Sequence, residues 1–315
     1  MHPSLPARPS VRRSPGRRPC GARSPLALLL CAFVAVGCTT PTSRLRSLAG
    51  QQGFERDVVT AAGFDLTVFE NSLVGAPRVE GDVLHVYLEG DGTPWMHRVL
   101  ITPDPTPRRP LMLRLMALDA APAAYVGRPC YNGTASDPGC DHSLWTSARY
   151  SDVVVDSMSV AVRVLQERHG FESIRLFGHS GGGALALLLA ARLSGTLDVV
   201  TVAGNLDTDA WTAHHGYTPL HGSLNPSDEP PLDETIVQWH LFGGGDTVVP
   251  PSLVRPFVRT QRGAIAALFP SFGHGCCWQR VWNGVLRAVG SGRATALPGK
   301  LFSSPGRRAS VPDGR

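Results

Sequence analysis

The sequence predicts an α/β fold in which a mostly parallel central sheet is covered by helices on both faces. First, strand and helix patterns alternate from residue 64 to residue 289, and parallel strands need such crossover connections. Second, the helical stretch 181–193 is apolar all round, which indicates burial. Third, 43% of the 315 residues are hydrophobic and 17% are charged, so the chain can fill one large core.

Each predicted element rests on its hydrophobic period. Residues 64–70 (FDLTVFE) alternate apolar and polar side chains, as an edge strand does, and residues 152–168 carry an apolar stripe at helical spacing. The further strands are predicted at 82–88, 123–126, 174–177, 197–202, 236–242 and 264–269. The further helices are predicted at 111–118, 181–193, 252–261 and 278–289. Ligands of such a sheet bind at the carboxyl ends of its strands, so functional residues should follow a strand.

Charge and composition exclude several classes of protein. The net charge of +5 comes from six arginines in residues 1–37, which contain no acid, and the remainder has 24 basic and 25 acidic residues. The folded part is thus nearly neutral, and we expect no nucleic-acid partner. No apolar run approaches the roughly 20 residues of a spanning helix, which excludes a polytopic membrane protein.

The N-terminal residues have the layout of an export signal. Residues 1–25 are basic, residues 26–36 (LALLLCAFVAV) are apolar, and small residues precede Cys38. The stretch resembles the lipobox of bacterial lipoproteins, although Ala35 stands where leucine is usual. The resemblance implies a signal peptide at 1–37, a lipid on Cys38, and attachment to the cell envelope, at the outer membrane rather than the inner one. An ordinary signal peptide with an incidental Cys38 is the alternative.

The remaining chain divides into three parts. Residues 38–53 are small and polar and are predicted to be a tether. Residues 54–297 form the predicted domain. Residues 298–315 are rich in Gly, Pro, Ser and Arg and are predicted to be a disordered tail.

Gly178-His179-Ser180-Gly181-Gly182 matches the G-x-S-x-G pattern of a nucleophile elbow. The apolar strand before it and the apolar helix after it supply the required context. Small residues two before and two after the serine let strand and helix pass closely, and the helix N-terminus directs its N–H groups at the site. We therefore expect Ser180 to be a nucleophile. The alternatives are a glycine-rich turn with an idle serine and a phosphate-binding turn.

An acid and a base are predicted at two later strand ends. Asp246 follows the strand 236–242 within a run of glycines, and His274 follows the strand 264–269. A serine hydroxyl needs a base to take its proton, and the base needs an orienting carboxylate. Asp207 and Asp209 are the rival acids, since they follow the preceding strand.

The order Ser180, Asp246, His274 on successive strand ends resembles that of the α/β-hydrolases over residues 54–290. The resemblance implies an α/β-hydrolase fold and no metal or other cofactor. Residues 88–95 (LEGDGTPW) occupy the place of the family's oxyanion loop, which implies backbone donors at Asp91, Gly92 and Gly181. Residues 205–234 would be a small cap or loop insertion over the pocket; a surface connector is the alternative.

Four cysteines belong to the predicted domain. Cys130 and Cys140 bracket a short loop, and export makes a disulfide between them the prediction. Cys276 and Cys277 are adjacent, so they form a vicinal bridge or pair elsewhere. A zinc site at these two with histidines is disfavoured by the missing C-x-x-C spacing.

The favoured function is a serine hydrolase acting on a small-molecule carboxylic ester or lipid. We expect His179, Trp95 and Trp211 to bind the substrate. Thioesterase, lipase, amidase and acyltransferase activities would use the same triad. A non-catalytic, ligand-binding envelope lipoprotein is the alternative of a different class.

Overall fold

The computed structural model describes residues 40–303 apart from positions 78, 80 and 98, and its centre is a nine-stranded sheet. The spatial order of the strands is β1-β2-β6-β3-β7-β8-β9-β10-β11, and β4 and β5 form a separate two-stranded hairpin. The bounds are β1 Glu55–Ala61, β2 Phe64–Glu70, β3 Val83–Leu88, β4 Trp95–Met96, β5 Leu100–Ile101, β6 Ala123–Val126, β7 Ser173–His179, β8 Thr196–Val202, β9 Val237–Gly243, β10 Ile265–Phe269 and β11 Lys300–Ser303.

The sheet confirms the predicted mostly parallel arrangement. The six strands β6, β3, β7, β8, β9 and β10 are parallel to one another. The outer strands β1, β2 and β11 run antiparallel to their neighbours. Because the six central strands share a direction, their carboxyl ends lie along one edge, where the segments after β3, β7, β9 and β10 meet.

Helices cover both faces of the sheet, as predicted. The helices are α1 Pro41–Gln51, α2 Leu111–Met116, α3 Asp152–His169, α4 Gly181–Ala190, α5 Thr208–His215, α6 Pro251–Thr260 and α7 Trp282–Ser291. One core packs α3, α4 and α6 against side chains such as Val86, Leu176 and Val199. The other core packs α1, α2 and α7 against side chains such as Tyr87 and Phe177. These alternate along the strands with the side chains of the first core, so they point to the opposite face of the sheet. None of the helices in the described part of the chain is long and apolar enough to cross a membrane.

The predicted tether is wrong where the structure describes it, because Pro41–Gln51 is a helix packed on the domain. Thr40 caps its N-terminus by accepting a hydrogen bond from the Ser43 N–H, and a proline opens the first turn. Leu45 and Ala49, one turn apart, are fully buried. The predicted signal peptide and Cys38 lie outside the described residues.

Both ends of the sheet also differ from the prediction. Strand β2 is not an edge strand, because β1 pairs along its whole length outside it. Lys300–Ser303, within the predicted disordered tail, instead form β11 on the edge of β10. Residues 304–315 lie outside the described part.

Candidate active site

Ser180 stands on a sharp turn between β7 and α4. Its backbone has φ 53° and ψ −121°, a left-handed conformation that non-glycine residues rarely adopt. Hydrogen bonds hold this backbone: the Ser180 N–H donates to Val202 at 3.0 Å, and its carbonyl accepts from Gly183 and Asn205 at 2.9 Å each. A backbone forced into a costly conformation by its surroundings is typical of functional positions.

The glycines two before and two after Ser180 are required by close packing. A Cβ at Gly178 would lie 2.0 Å from the Gly182 carbonyl oxygen, and a Cβ at Gly182 would lie 2.2 Å from the Leu88 carbonyl oxygen. Strand β7, helix α4 and the end of β3 therefore touch through backbone atoms. This contact sets where the Ser180 side chain enters the cavity at the edge of the sheet.

Asp246 and His274 are joined directly. The His274 Nδ1–H donates to Asp246 Oδ2 at 2.9 Å, and the other carboxylate oxygen accepts from the N–H groups of Val248 and Val249. The Asp246 side chain is fully buried. This partnership places the ring proton on Nδ1 and leaves the Nε2 lone pair free to accept a proton.

Burial lowers the pKa of His274 below its ordinary value of 6.5, and the charge of His179 acts in the same direction. The hydrogen bond and the negative charge of Asp246 oppose this shift without cancelling it. The imidazole is therefore neutral at pH 7, as a general base must be. Ser180 and His274 line the same cavity, and within the described residues no hydrogen bond links their side chains.

His179 contacts the His274 loop in addition to lining the cavity. Its Nε2–H donates to the His274 carbonyl at 3.0 Å, and the two rings lie 4.7 Å apart. Trp278 Nε1–H donates to the same carbonyl at 3.1 Å. On its other side, His179 Nδ1 lies 3.8 Å from Glu89 Oε1. His179 thus braces the backbone that carries His274, a role the sequence did not suggest.

The segment after β3 is held by a buried ionic cluster around Asp91. Its carboxylate contacts Arg128 and Arg149 at 2.9 Å each and accepts the Tyr150 hydroxyl at 2.7–2.8 Å. Burial alone would raise the pKa of Asp91, but the charges of Arg149 and Arg128 and the hydrogen bond from Tyr150 lower it to about 2. The Tyr131 hydroxyl donates to the Asp91 carbonyl. The backbone of the predicted oxyanion residue is therefore fixed on both its side-chain and its main-chain atoms.

The same segment is fixed at Glu89. Its Oε2 accepts the Met112 N–H at the start of α2, and its carbonyl accepts Arg128 Nη2. Arg128, Arg149, Tyr131 and Tyr150 lie in the irregular stretch between β6 and α3, and no sequence pattern indicated their contacts with Asp91.

A cavity of about 1150 Å³ opens above these residues. Its wall contains most of the predicted site residues: Asp91, Gly92, Trp95, His179, Ser180, Trp211 and His274. Asp246 lies behind His274, and Gly181 lies next to the Asp91 carboxylate. Apolar side chains, among them Leu220 and Val248, complete much of the wall.

Residues of the predicted cap line one side of this cavity. In α5, Trp211 Nε1–H and His215 Nε2–H both donate to the Val248 carbonyl at 2.8 Å. The cap is thereby tied to the loop that carries Asp246. The rival acid Asp207 instead caps the N-terminus of α5 by accepting the Ala210 N–H, and Asp209 lies in the first turn of the same helix.

The structure pairs all four cysteines of the predicted domain. Cys130 is bonded to Cys140, which confirms the predicted disulfide. Cys276 is bonded to Cys277, one of the two arrangements that the sequence left open. Neither thiol of that pair is free to bind zinc. No group of three or more metal-ligating side chains occurs among the residues that the structure describes.

Comparisons with solved structures identify the α/β-hydrolase fold. The protein aligns with a puromycin hydrolase (TM-score 0.55, 18% identity) over 79% of its own length and 41% of that chain. It thus spans about two fifths of that protein. It aligns over 85% of its length with 97% of a bacterial membrane phospholipase A (TM-score 0.55, 14% identity). An esterase from Pyrococcus furiosus aligns over 82% of this chain and 94% of that one (TM-score 0.53, 14% identity).

No family model matches the sequence. No curated protein matches it either. The similarity is therefore one of fold, and it agrees with the mostly parallel sheet and the two helical layers described above.

Proposed function

We propose that the protein is a serine hydrolase that cleaves carboxylic esters through Ser180, His274 and Asp246. The observation that carries this proposal is the pairing of Asp246 with His274 at a cavity that Ser180 also lines. The three residues follow three different strands and lie 66 and 28 positions apart in the sequence.

In the proposed reaction, Ser180 Oγ attacks the acyl carbon while His274 Nε2 takes the hydroxyl proton. Asp246 holds the ring in the required tautomer and stabilises the imidazolium that forms. His274 then gives the proton to the leaving alcohol as the bond between the acyl carbon and the alcohol oxygen breaks. Water, activated in turn by His274, releases the acid from Ser180.

The negative oxygen of the tetrahedral intermediate would be held by backbone N–H groups of Asp91 or Gly92 and of Gly181. Each such donor contributes about 3 kcal/mol to lowering the barrier. The fixed position of Asp91 supports this role, because a preorganised donor needs no rearrangement during the reaction.

The cavity supports an ester with a sizeable apolar part. Trp95, Trp211 and Leu220 line it, and its volume of about 1150 Å³ is slightly above the roughly 300–1000 Å³ of pockets that hold drug-sized ligands. Neighbours in fold include an esterase and a phospholipase, which is consistent with an ester or lipid substrate. Thioesters and amides would use the same groups.

The test is covalent labelling of the full chain by a fluorophosphonate probe. We expect labelling of the native protein and none of Ser180→Ala, with circular dichroism establishing that the variant is folded. An unlabelled, folded native protein would favour the non-catalytic alternative. A panel of p-nitrophenyl esters and thioesters of increasing acyl length would then define the substrate.

We further propose export and lipid attachment at Cys38, on the basis of the leader sequence. Metabolic labelling with a clickable palmitate analogue should mark the native protein and not Cys38→Ala. Label retained on Cys38→Ala, or absent from both, would contradict the proposal.

A further inference from the structure

Exposed apolar side chains gather at the mouth of the cavity. Of the twelve large hydrophobic residues that are exposed in the described part of the chain, three line the cavity and three more lie on the β4–β5 hairpin. We call these six residues the apolar rim: Trp95, Val99, Leu100, Ile101, Tyr217 and Val248. Proteins rarely leave such a group exposed unless it meets a partner.

The hairpin presents the largest part of the rim. Trp95 pairs with Ile101 and Met96 with Leu100, and the connection between them brings Val99 to its tip. Val99 is 73% exposed and Leu100 is 57% exposed. Their side chains pack on neither of the two cores described above. Moving these side chains from water into an apolar medium is favourable, so the hairpin carries a driving force for association.

The hairpin is held against the segment that carries two arginines. The Thr93 N–H donates to the Pro105 carbonyl, and the Thr102 N–H donates to the Pro94 carbonyl. Arg108 and Arg109 follow in that segment and line the cavity mouth. Both are exposed, and neither has an ion-pair or hydrogen-bond partner among the described residues.

The other charged side chains that line the cavity are held in contacts within the protein. Asp91 is paired with Arg149 and Arg128, and Glu89 is buried and accepts the Met112 N–H. Arg108 and Arg109 are therefore the exposed charged side chains of the cavity lining, and they lie beside the apolar rim. Apolar side chains with flanking cations are the combination that binds an anionic lipid surface, where the former enter the acyl boundary and the latter meet the headgroups.

The chain also enters the domain at this place. The Thr42 N–H and hydroxyl both donate to the Asp104 carboxylate, which lies between the hairpin and Arg108. Thr42 is only four positions after Cys38, the residue proposed to carry a lipid.

From these observations we infer that the apolar rim docks onto an anionic lipid surface, with Val99, Leu100 and Ile101 inserted and Arg108 and Arg109 at the headgroups. The cavity mouth would then face the bilayer, so a lipidic ester could enter without crossing water. The docking is independent of the proposed chemistry, and it holds whether or not Ser180 is a nucleophile.

Hydrogen–deuterium exchange of the full chain tests this inference, because it reports on the hairpin separately from any other segment that binds lipid. The protein would carry Ser180→Ala so that the lipids stay intact. It would be measured alone, with vesicles of phosphatidylglycerol and phosphatidylcholine at 3:7, and with vesicles of pure phosphatidylcholine. We expect amides 99–101 to exchange roughly tenfold more slowly with the anionic vesicles. If about 90% of the molecules are docked, exchange proceeds only from the remaining undocked molecules.

Leu100→Glu should abolish that protection even when the protein still sediments with the vesicles, because the carboxylate would have to enter the acyl region. Leu197→Glu is the matched control. Leu197 is also exposed, but it lies at the start of β8, at the end of the sheet opposite the cavity, and protection should be unchanged.

Three results would overturn the inference. The first is protection of residues 99–101 that persists in Leu100→Glu, which would reflect mere proximity to a membrane. The second is equal protection by the neutral vesicles, which would leave the arginines without a role. The third is protection that rises with protein concentration in the absence of vesicles, which would make the rim a contact between two copies of the chain.

Discussion

Replacing Gly181 by alanine tests the tightest contact of the candidate site. A Cβ at this position would lie 1.9 Å from Asp91 Oδ1 and 2.3 Å from the Tyr150 hydroxyl. A carbon atom needs about 3.5 Å from its neighbours, so the Asp91 carboxylate would have to retreat by about 1.6 Å. It cannot do so and keep Arg128 and Arg149 at 2.9 Å, because hydrogen bonds are lost beyond about 3.5 Å.

The expected loss follows from breaking this buried ionic cluster. Removing a partner from a buried ion pair costs about 3–5 kcal/mol, which lowers the melting temperature of a domain of this size by at least about 6 °C. Displacing the oxyanion backbone should also slow fluorophosphonate labelling of Ser180 by roughly 100-fold. Thermal unfolding followed by circular dichroism and a labelling time course measure the two effects.

Gly290→Ala is the matched control for this substitution. Gly290 lies in α7, and a Cβ there would meet no atom within 4 Å. Replacing a helical glycine by alanine stabilises by about 0.5–1 kcal/mol, so the melting temperature should stay equal or rise slightly, with native labelling. If Gly181→Ala keeps both the native melting temperature and the native labelling rate, the cluster around Asp91 is not a rigid support for the oxyanion backbone.

Three further predictions concern the base, its carboxylate and the disulfide. Asp246→Asn should lower kcat for a p-nitrophenyl ester by roughly 10³–10⁴-fold, because it removes the acceptor that fixes the His274 tautomer. Asp207→Asn is the control and should leave kcat within about twofold. Similar losses in both variants would refute the assignment of Asp246 as the orienting carboxylate. Because burial lowers the pKa of His274, kcat/KM should fall as the pH drops through a midpoint below 6.5 and should be level above it; a midpoint above 6.5 would contradict the buried, neutral ring. Replacing Cys130 and Cys140 together by serine should lower stability by about 2–3 kcal/mol, seen as a melting temperature about 5 °C lower; an unchanged value, or free thiols in the native protein, would argue against the bond.

The sequence predicted the strand ends well, because the signals there are local. An apolar strand followed by Gly178-His179-Ser180 gives a turn whose packing can be inferred from residue size alone. Asp246 and His274 likewise each follow an apolar strand, and the parallel sheet then brings their loops to one edge. The pairing of Cys130 with Cys140 was also predictable, since the two bracket a single short loop.

Contacts between distant segments could not be predicted in this way. Arg149 is 58 positions from Asp91, and it lies in a stretch without hydrophobic period. The bracing of the His274 carbonyl by His179 joins residues 95 positions apart, and it depends on how two loops pack.

Helix α1 was missed for a different reason. Polar residues dominate Pro41–Gln51, so the sequence carries little sign of the short apolar stripe of Leu45 and Ala49. These two side chains are buried in the core that α2 and α7 also form.

The last strand of the sheet has a consequence for handling the protein. Lys300–Ser303 cover the outer edge of β10, whose residues Ala266, Ala267 and Phe269 are buried. The composition of the C-terminus suggests a shortened chain that ends before residue 300. Such a chain would lack the strand that covers β10. The uncapped N–H and C=O groups of β10 would then be open to strands of other molecules, a recognised route to aggregation. Expression trials should therefore retain residues 300–303 and place any purification tag beyond them.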